Sequence, residues 1–237
     1  MVVDVCFSPV LYPKYHREEG VVVVVDIFRA TSTMIAAFEN GARSIRPVAT
    51  IDEAKKWKAN GFLVGAERNC RQCTFADFGN SPFNYKPKMV NGKDIVFTTT
   101  NGTKAILYAK SAYRIITGSF VNLQAVADDC IKEKKDVVVV CAGWEDKINI
   151  EDTLFGGALV ELLQLHGFHP AGDAAKIALV LWQKAKSNLL DYIRQTEHYK
   201  RLKFNYLEDN IPYCLTLNQS KLVPVYSIKE NLLFIEK

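Results

Sequence analysis

The run Val21-Val22-Val23-Val24-Val25 is the feature that most narrows the folds open to this chain. Five successive valines do not make a half-exposed strand, which would alternate apolar and polar residues, and they are too few to cross a bilayer. A continuous β-branched run of this length predicts a strand buried on both faces, as in a parallel sheet with helices packed on each side. A second run, Val137 to Val140, makes the same demand.

Both runs share their sequel with a third segment, Ile95-Val96-Phe97. Each passes into a polar turn and then an apolar helix. After Val25 come Asp26 to Thr33, then Met34-Ile35-Ala36-Ala37-Phe38, closing at Asn40-Gly41. After Phe97 come Thr98 to Thr103, then Ala105 to Ala109. After Val140 come Cys141-Ala142-Gly143 and a longer loop, with Glu151-Asp152-Thr153 opening a helix over Leu154 to Leu165. Hydroxyl and carboxylate side chains ahead of an apolar stretch are helix N-caps, and Gly41 and Gly167 are the matching stops. Strands alternating with helices predict an α/β fold, a largely parallel sheet flanked by helices.

Between these segments, Thr50 to Trp57 reads as a capped amphipathic helix and Phe62 to Glu67 as a strand. Asn69 to Asn91 is turn-rich, as functional loops are. Asp173 to Lys186 and Ser187 to Lys200 read as two helices, and Leu222 to Tyr226 and Leu232 to Ile235 as closing strands. Residues 1–237 read as one unit. If it divides into two α/β lobes, 1–127 and 128–237, the charged stretch Asp128 to Asp136 is the expected junction.

Charge excludes some partners. The formal net charge is +4, with basic residues spread along the chain, whereas nucleic-acid binding calls for a concentrated basic face. The opening Met1-Val2-Val3-Asp4-Val5 lacks the basic and apolar regions of a signal peptide, and no apolar run is long enough to span a membrane, so a cytoplasmic address is expected. Six cysteines in such a chain read as reduced thiols. Cys70 and Cys73 form one CxxC without the second pair or spaced histidines of a zinc site, and read as loop thiols. A homodimer is compatible with the composition.

In doubly wound sheets, ligands gather outside the carboxyl ends of the strands, where all three polar turns lie. Asp26, at the mouth of a buried strand, has three open readings: helix cap, ion-pair partner of Arg29, or ligand of a hard cation such as Mg²⁺. Arg29 offers a planar fork to phosphate or carboxylate. Thr31, Ser32 and Thr33 supply three hydroxyls where capping needs one, and their amides open a helix. Thr100-Asn101-Gly102-Thr103 repeats the pattern as an amide-rich turn, without the GxxxxGK[ST] spacing of a nucleotide loop. Glu67, Asp77, Glu151 and Asp152 are the remaining carboxylates of interest, each alone more often a solvated loop residue than a ligand. Acidic groups meeting at one strand-end crevice would need a cation or proton between them. Several phosphatase types are excluded by spacing. No cysteine has an arginine six places later, Asp26-Ile27-Phe28 lacks a second aspartate, and none of His16, His166, His169 and His198 sits in an Arg-His-Gly motif. His166 and His169 read as helix-end residues.

The motifs together are more specific than any one of them. Asp26 to Thr33 resembles the DVxRATST motif of the 2-phosphosulfolactate phosphatase family. Gly65-Ala66-Glu67-Arg68 is similar to its G-E-R loop, Asp77 to Pro82 to D-L-G-N-S-P, Thr99 to Thr103 to T-T-N-G-T, and Cys141-Ala142-Gly143 with Glu151-Asp152-Thr153 to its C-A-G and E-D stretches. Tyr213-Cys214 and Val223-Pro224-Val225 resemble the family's closing pattern. Asn69, Asn84 and Asn218 depart from it, the last two removing a charge. The resemblance implies an α/β enzyme, a phosphoric monoester hydrolase that needs Mg²⁺ and converts 2-phosphosulfolactate to sulfolactate and phosphate, a step linked to coenzyme M synthesis. On this basis Asp26, Glu67 and Asp152 are expected at Mg²⁺. Arg29 and the groups of Thr31 to Thr33 and Thr100 to Thr103 are expected at the phosphoryl group, with Arg68 and Asn80 at the substrate's other acidic groups. Asp26 or an activated water would attack phosphorus. Two rivals share these motifs: a phosphatase for another phosphorylated hydroxy acid, and a sensor that binds such an anion without turnover.

Overall fold

The protein is described by a computed structural model over residues 1–236. Its strands are β1 (Val2–Cys6), β2 (Val21–Val25), β3 (Ser44–Pro47), β4 (Leu63–Arg68), β5 (Arg71–Gln72), β6 (Asp94–Thr98), β7 (Arg114–Gly118), β8 (Val137–Cys141), β9 (His169–Pro170), β10 (Pro224–Ser227) and β11 (Leu232–Ile235). The helices up to mid-chain are α1 (Tyr12–Tyr15), α2 (Ala30–Glu39), α3 (Ile51–Ala59), α4 (Pro87–Val90), α5 (Gly102–Tyr108) and α6 (Leu123–Glu133). They are followed by α7 (Ile150–Gln164), α8 (Gly172–Ala185), α9 (Leu189–Ile193), α10 (Glu197–Phe204) and α11 (Ile211–Leu215).

All the strands join one sheet in the order β5-β4-β6-β3-β11-β10-β7-β2-β8-β1-β9. The valine runs behave as their composition requires. β2 lies between β7 and β8, with Val23 level with Ile116 on one side and Val139 on the other. Val21, Val23 and Val25 enter a core built with α6, α7 and α8. Val22 and Val24 enter a second core with α2 and α5. Neither face meets water, so polar alternation has no place here, and each buried valine is stabilised by about 1.5–3 kcal/mol relative to exposure. Helices α7 and α8 pack backbone to backbone at Gly157, where a Cβ would lie 2.0 Å from the carbonyl oxygen of Ala178.

The sheet holds two parallel arrays, β4-β6-β3 and β7-β2-β8-β1-β9, joined by the β10–β11 hairpin. Three successive pairings at the join, β7 with β10, β10 with β11 and β11 with β3, are antiparallel. Three reversals leave the arrays running in opposite directions. They still share a core, in which Val22, Val24, Val138 and Val140 of one meet Ile45, Ile95 and Phe97 of the other. Strands β8, β10 and β11 of residues 128–237 lie between strands of residues 1–127, and Asp128 to Glu133 lies inside α6.

Three local readings differ from the structure. Helix α2 begins at Ala30, so Thr31, Ser32 and Thr33 form its first turn instead of preceding it. Helix α7 begins at Ile150, capped by Asn149, whose side chain accepts the N–H of Asp152. The single helix expected over Ser187 to Lys200 is broken, because Thr196 accepts the N–H of Tyr199 and starts a new helix there. No helix among the described residues is long and apolar enough to cross a membrane.

Candidate active site

The turns that follow β2, β4, β6 and β8 open into one cavity. Asp26, Phe28 and Arg29 come from the first of these turns, Asn69 and Cys70 from the second with Glu67 from the end of β4 itself, Thr99, Thr100 and Asn101 from the third, and Trp144 and Glu145 from the fourth. Asn80 adds an amide from the loop after β5. His198 and Leu202, both on α10, close the remaining wall.

Asp26 sits where the two arrays touch. Its backbone is locked by Thr31, whose Oγ1 accepts the N–H of Asp26 at 3.0 Å and donates to its carbonyl at 2.9 Å. Burial pushes the Asp26 carboxyl up to about 6, against the pull of His198 and the amide of Ala30, and Glu67 and Glu151 add to the rise. Across from it, a Cβ on Gly102 would lie 2.6 Å from Oδ2 of Asp26 and 2.4 Å from Cβ of Ala30. Only a glycine lets the start of α5 approach so closely. The turn itself is fixed by Thr99 and Thr103, each donating its N–H to the other's hydroxyl at 3.2 and 3.3 Å.

Arg29 is buried, and its Nη1 donates to Oδ1 of Asn210 at 3.3 Å, an acceptor that Ser81 also uses. Burial lowers the guanidinium from its ordinary value, but an arginine starts so high that it remains a cation. Glu67 is buried, with Oε1 accepting the amide of Cys70 at 2.6 Å and Oε2 3.5 Å from the amide and hydroxyl of Thr100. Asn69 and Cys70 have φ of 52° and 64°, which turns the chain so that this amide faces the carboxylate. Burial, aided by Glu67, raises the Cys70 thiol. Oδ1 of Asn80 is buried with no hydrogen-bond partner among the described residues.

Of the expected site residues, Asp26, Arg29, Glu67, Asn80, Thr100 and Asn101 meet in the cavity wall. The others stand behind it or beside it. Asp152 is fully buried, with Oδ1 accepting the amide of Ile27 at 2.8 Å and Oδ2 those of Gly143 at 3.1 Å and the Asn149 side chain at 2.9 Å. Both oxygens are thus taken by the turns after β2 and β8. Burial, with Asp26 and Glu151 nearby, raises its carboxyl well above the usual range. Ser32 donates to the carbonyl of Ile27 at 2.9 Å and meets Ser119, and Thr33 donates its amide to the carbonyl of Arg29. The Thr31 and Ser32 hydroxyls brace the turn, that of Thr33 is buried without a partner among the described residues, and none of the three lines the cavity. Gly102 and Thr103 shape the other turn. Arg68 donates to the carbonyl of Glu67 and to Thr98, and faces an adjoining depression with Thr99, Thr100 and Lys104.

Sequence reasoning missed the wall made by the C-terminal helices. His198 is buried, its Nδ1 joined to Oε1 of the fully buried Glu151 and its ring edge-on to Phe28 at 5.7 Å. Trp144 is stacked under Arg201 at 3.8 Å. Cys70, read as an incidental loop thiol, lines the cavity, and all six cysteines are free. The spacing of Glu151 and His198, 47 positions apart, carries no motif.

Comparison with known proteins shows the family. The family model described as 2-phosphosulpholactate phosphatase matches residues 6–229. The chain belongs to the 2-phosphosulfolactate phosphatase family. A relative from Caldanaerobacter subterraneus subsp. tengcongensis, named "Probable 2-phosphosulfolactate phosphatase", is 39% identical over 87% of this chain and 88% of its own length. Relatives of the same name from Thermotoga petrophila and Clostridium beijerinckii are 38% and 32% identical, over 88% and 95% of this chain and 92% and 97% of their own lengths. The residues matched by the family model include all four turns and the α10 wall.

Proposed function

We propose that this chain is a Mg²⁺-dependent phosphoric monoester hydrolase that releases phosphate from a small acidic hydroxy acid, 2-phosphosulfolactate. The observation that carries the reading is the meeting of Asp26, Arg29 and Glu67 in one cavity, from turns of two oppositely directed arrays. A phosphoryl group needs cationic and hydrogen-bonding partners placed before charge moves, and Arg29 supplies a buried, oriented guanidinium. The carboxylate and sulfonate of 2-phosphosulfolactate add two more anions, which suits a cavity with Arg68 and Lys104 beside it.

The donor set fits Mg²⁺. Asp26 and Glu67 offer carboxylate oxygens, and the unpartnered Oδ1 of Asn80 offers a third oxygen. Among the described residues no three His, Cys, Asp or Glu side chains gather into a ready cage. Mg²⁺ sites are commonly built from one or two protein carboxylates. When bound, Mg²⁺ neutralises phosphoryl charge and makes a bound water a better nucleophile. Asp26 then acts toward phosphorus, either by direct attack or by taking a proton from the attacking water. Asp152 acts one layer back by holding the β2 and β8 turns, and Asn210 orients Arg29.

Phosphate release across a panel of phosphorylated hydroxy acids, with Mg²⁺ and with EDTA, tests the reading. Metal-dependent release, greatest with 2-phosphosulfolactate, is expected. Binding that survives EDTA, with no release from any ester, would overturn it in favour of an anion sensor.

A further inference from the structure

His198 and Glu151 form a buried pair that the reaction as described so far does not use. Nδ1 of His198 joins Oε1 of Glu151, which is fully buried. The ring rests edge-on against Phe28, next to Arg29, and borders the same cavity as Asp26. Of the influences that pull the Asp26 carboxyl back down against burial, that of His198 is the largest. Nε2 makes no hydrogen bond among the described residues, and it is not among the fully buried atoms left without a partner. One ring nitrogen is therefore held by a carboxylate and the other is free to reach a ligand. That is the arrangement in which a histidine transfers a proton with fixed orientation.

Two other features of the wall strengthen the pairing. Glu151 adjoins Asp152 at the start of α7, so the helix that braces the β2 turn also carries the carboxylate behind His198. His198 lies on the first turn of α10, whose Leu202 lines the same cavity. The ring is thus fixed from two elements and packs against Phe28 of the Asp26 turn.

We infer that His198 is the general acid of the hydrolysis, donating its Nε2 proton to the departing alkoxide oxygen of the substrate, and that Glu151 is the positioning residue that holds the ring. The inference rests on the phosphatase reading given above. As the bond from phosphorus to the ester oxygen breaks, its electron pair goes to that oxygen, which takes the proton from His198 and leaves as the alcohol. Water supplies the oxygen that ends on phosphate and releases one proton to solvent, and His198 is reprotonated from solvent. Atoms and charge balance without another reactant.

A general acid matters in proportion to how poor the leaving group is. The test therefore compares an alkyl ester, 2-phosphosulfolactate or phospholactate, with 4-nitrophenyl phosphate, whose phenolate leaves without a proton. His198→Ala should lower turnover of the alkyl ester by about 10²- to 10⁴-fold, the usual share of a general acid, and that of the nitrophenyl ester far less. Glu151→Gln should show the same selectivity more weakly. If the alanine variant does not fold, His198→Gln carries the same comparison. Equal loss on both esters in a folded variant, or no loss on the alkyl ester, would overturn the role of His198. A wild-type enzyme inert toward both esters would overturn the phosphatase reading itself, so the two failures are distinguishable.

Discussion

Gly102 and Asp26 stand so close that a single methyl group on the glycine would collide with the carboxylate, its carbon 2.6 Å from Oδ2. The contact joins the turn after β6 to the turn after β2, and so joins the two arrays at the point where the carboxylates meet. Gly102→Ala would force one turn to retreat. Overpacking of this kind costs about 1–3 kcal/mol, and a displacement of about 1 Å at a reacting group costs on the order of 10²-fold in turnover. Both losses are expected, read by urea denaturation and steady-state kinetics. A variant with wild-type turnover would show that the contact has no part in placing Asp26.

The buried carboxylate has a cost that pH reveals. Asp26 is raised to about 6 and Asp152 well above its usual range, in both cases first by burial. In the unfolded chain both would titrate near 4. Between about pH 4 and pH 6 the folded state therefore holds more protons, and the metal-free protein loses stability as pH rises through that window. A shift of about two pKa units at Asp26 corresponds to roughly 3 kcal/mol as an upper bound. Asp26→Asn should flatten that part of the profile, raise stability in EDTA at pH 7.5, and lower turnover by about 10³-fold or more. Thermal melts from pH 4 to 8 in EDTA, run beside phosphate-release assays, check each part.

Asp152 and Glu67 should separate bracing from ligation. Asp152→Ala strips acceptors from the buried amides of Ile27 and Gly143, and each orphaned donor costs about 1–3 kcal/mol. Glu67→Gln removes one charge at the cavity wall and keeps the shape. The expected outcome is a large drop in urea midpoint with modest change in Mg²⁺ affinity for Asp152→Ala, and the reverse for Glu67→Gln. Metal titration followed by calorimetry reads both, and weaker Mg²⁺ binding in the Asp152 variant would make that residue a ligand.

Arg29→Lys keeps the charge and loses the fork. Nη1 already donates to Asn210, so the arginine has further N–H groups left for phosphate in a fixed plane, whereas a lysine would have to choose. A fall in kcat/KM of about 10- to 100-fold is expected from the loss of bidentate contact, with folding little changed. Kinetics on the alkyl ester would show it, and an unaltered kcat/KM would move Arg29 out of substrate contact.

The parts legible in the sequence were those whose signal lies within a few residues. Val21 to Val25 announce a strand buried on both faces because every side chain is apolar, and Asp26 and Arg29 stand out because the strand ends at them. β1 and β7 were not read. Asp4 interrupts the first, and the second is a short run, Arg114 to Gly118, with no polar turn of the earlier type behind it. The hydroxyls of Thr31 and Ser32 read as ligand groups in the sequence, yet their partners are the carbonyls of Asp26 and Ile27 and the hydroxyl of Ser119, while that of Thr33 is buried without a partner among the described residues. His198 was passed over because its meaning depends on Glu151, and nothing in a linear chain ties positions 47 apart until α7 and α10 are packed.

The β10–β11 hairpin has a consequence for how the enzyme comes into being. Among the described residues it supplies the only sheet hydrogen bonding between the array that carries Asp26 and the array that carries Glu67. During synthesis both arrays leave the ribosome well before residues 224–235 do. The two carboxylates are thus translated early and aligned late: the sheet that brings them to one cavity is completed by β10 and β11, which follow all its other described strands, and a nascent chain stopped short of Pro224 carries every cavity residue while lacking the strands that join the arrays.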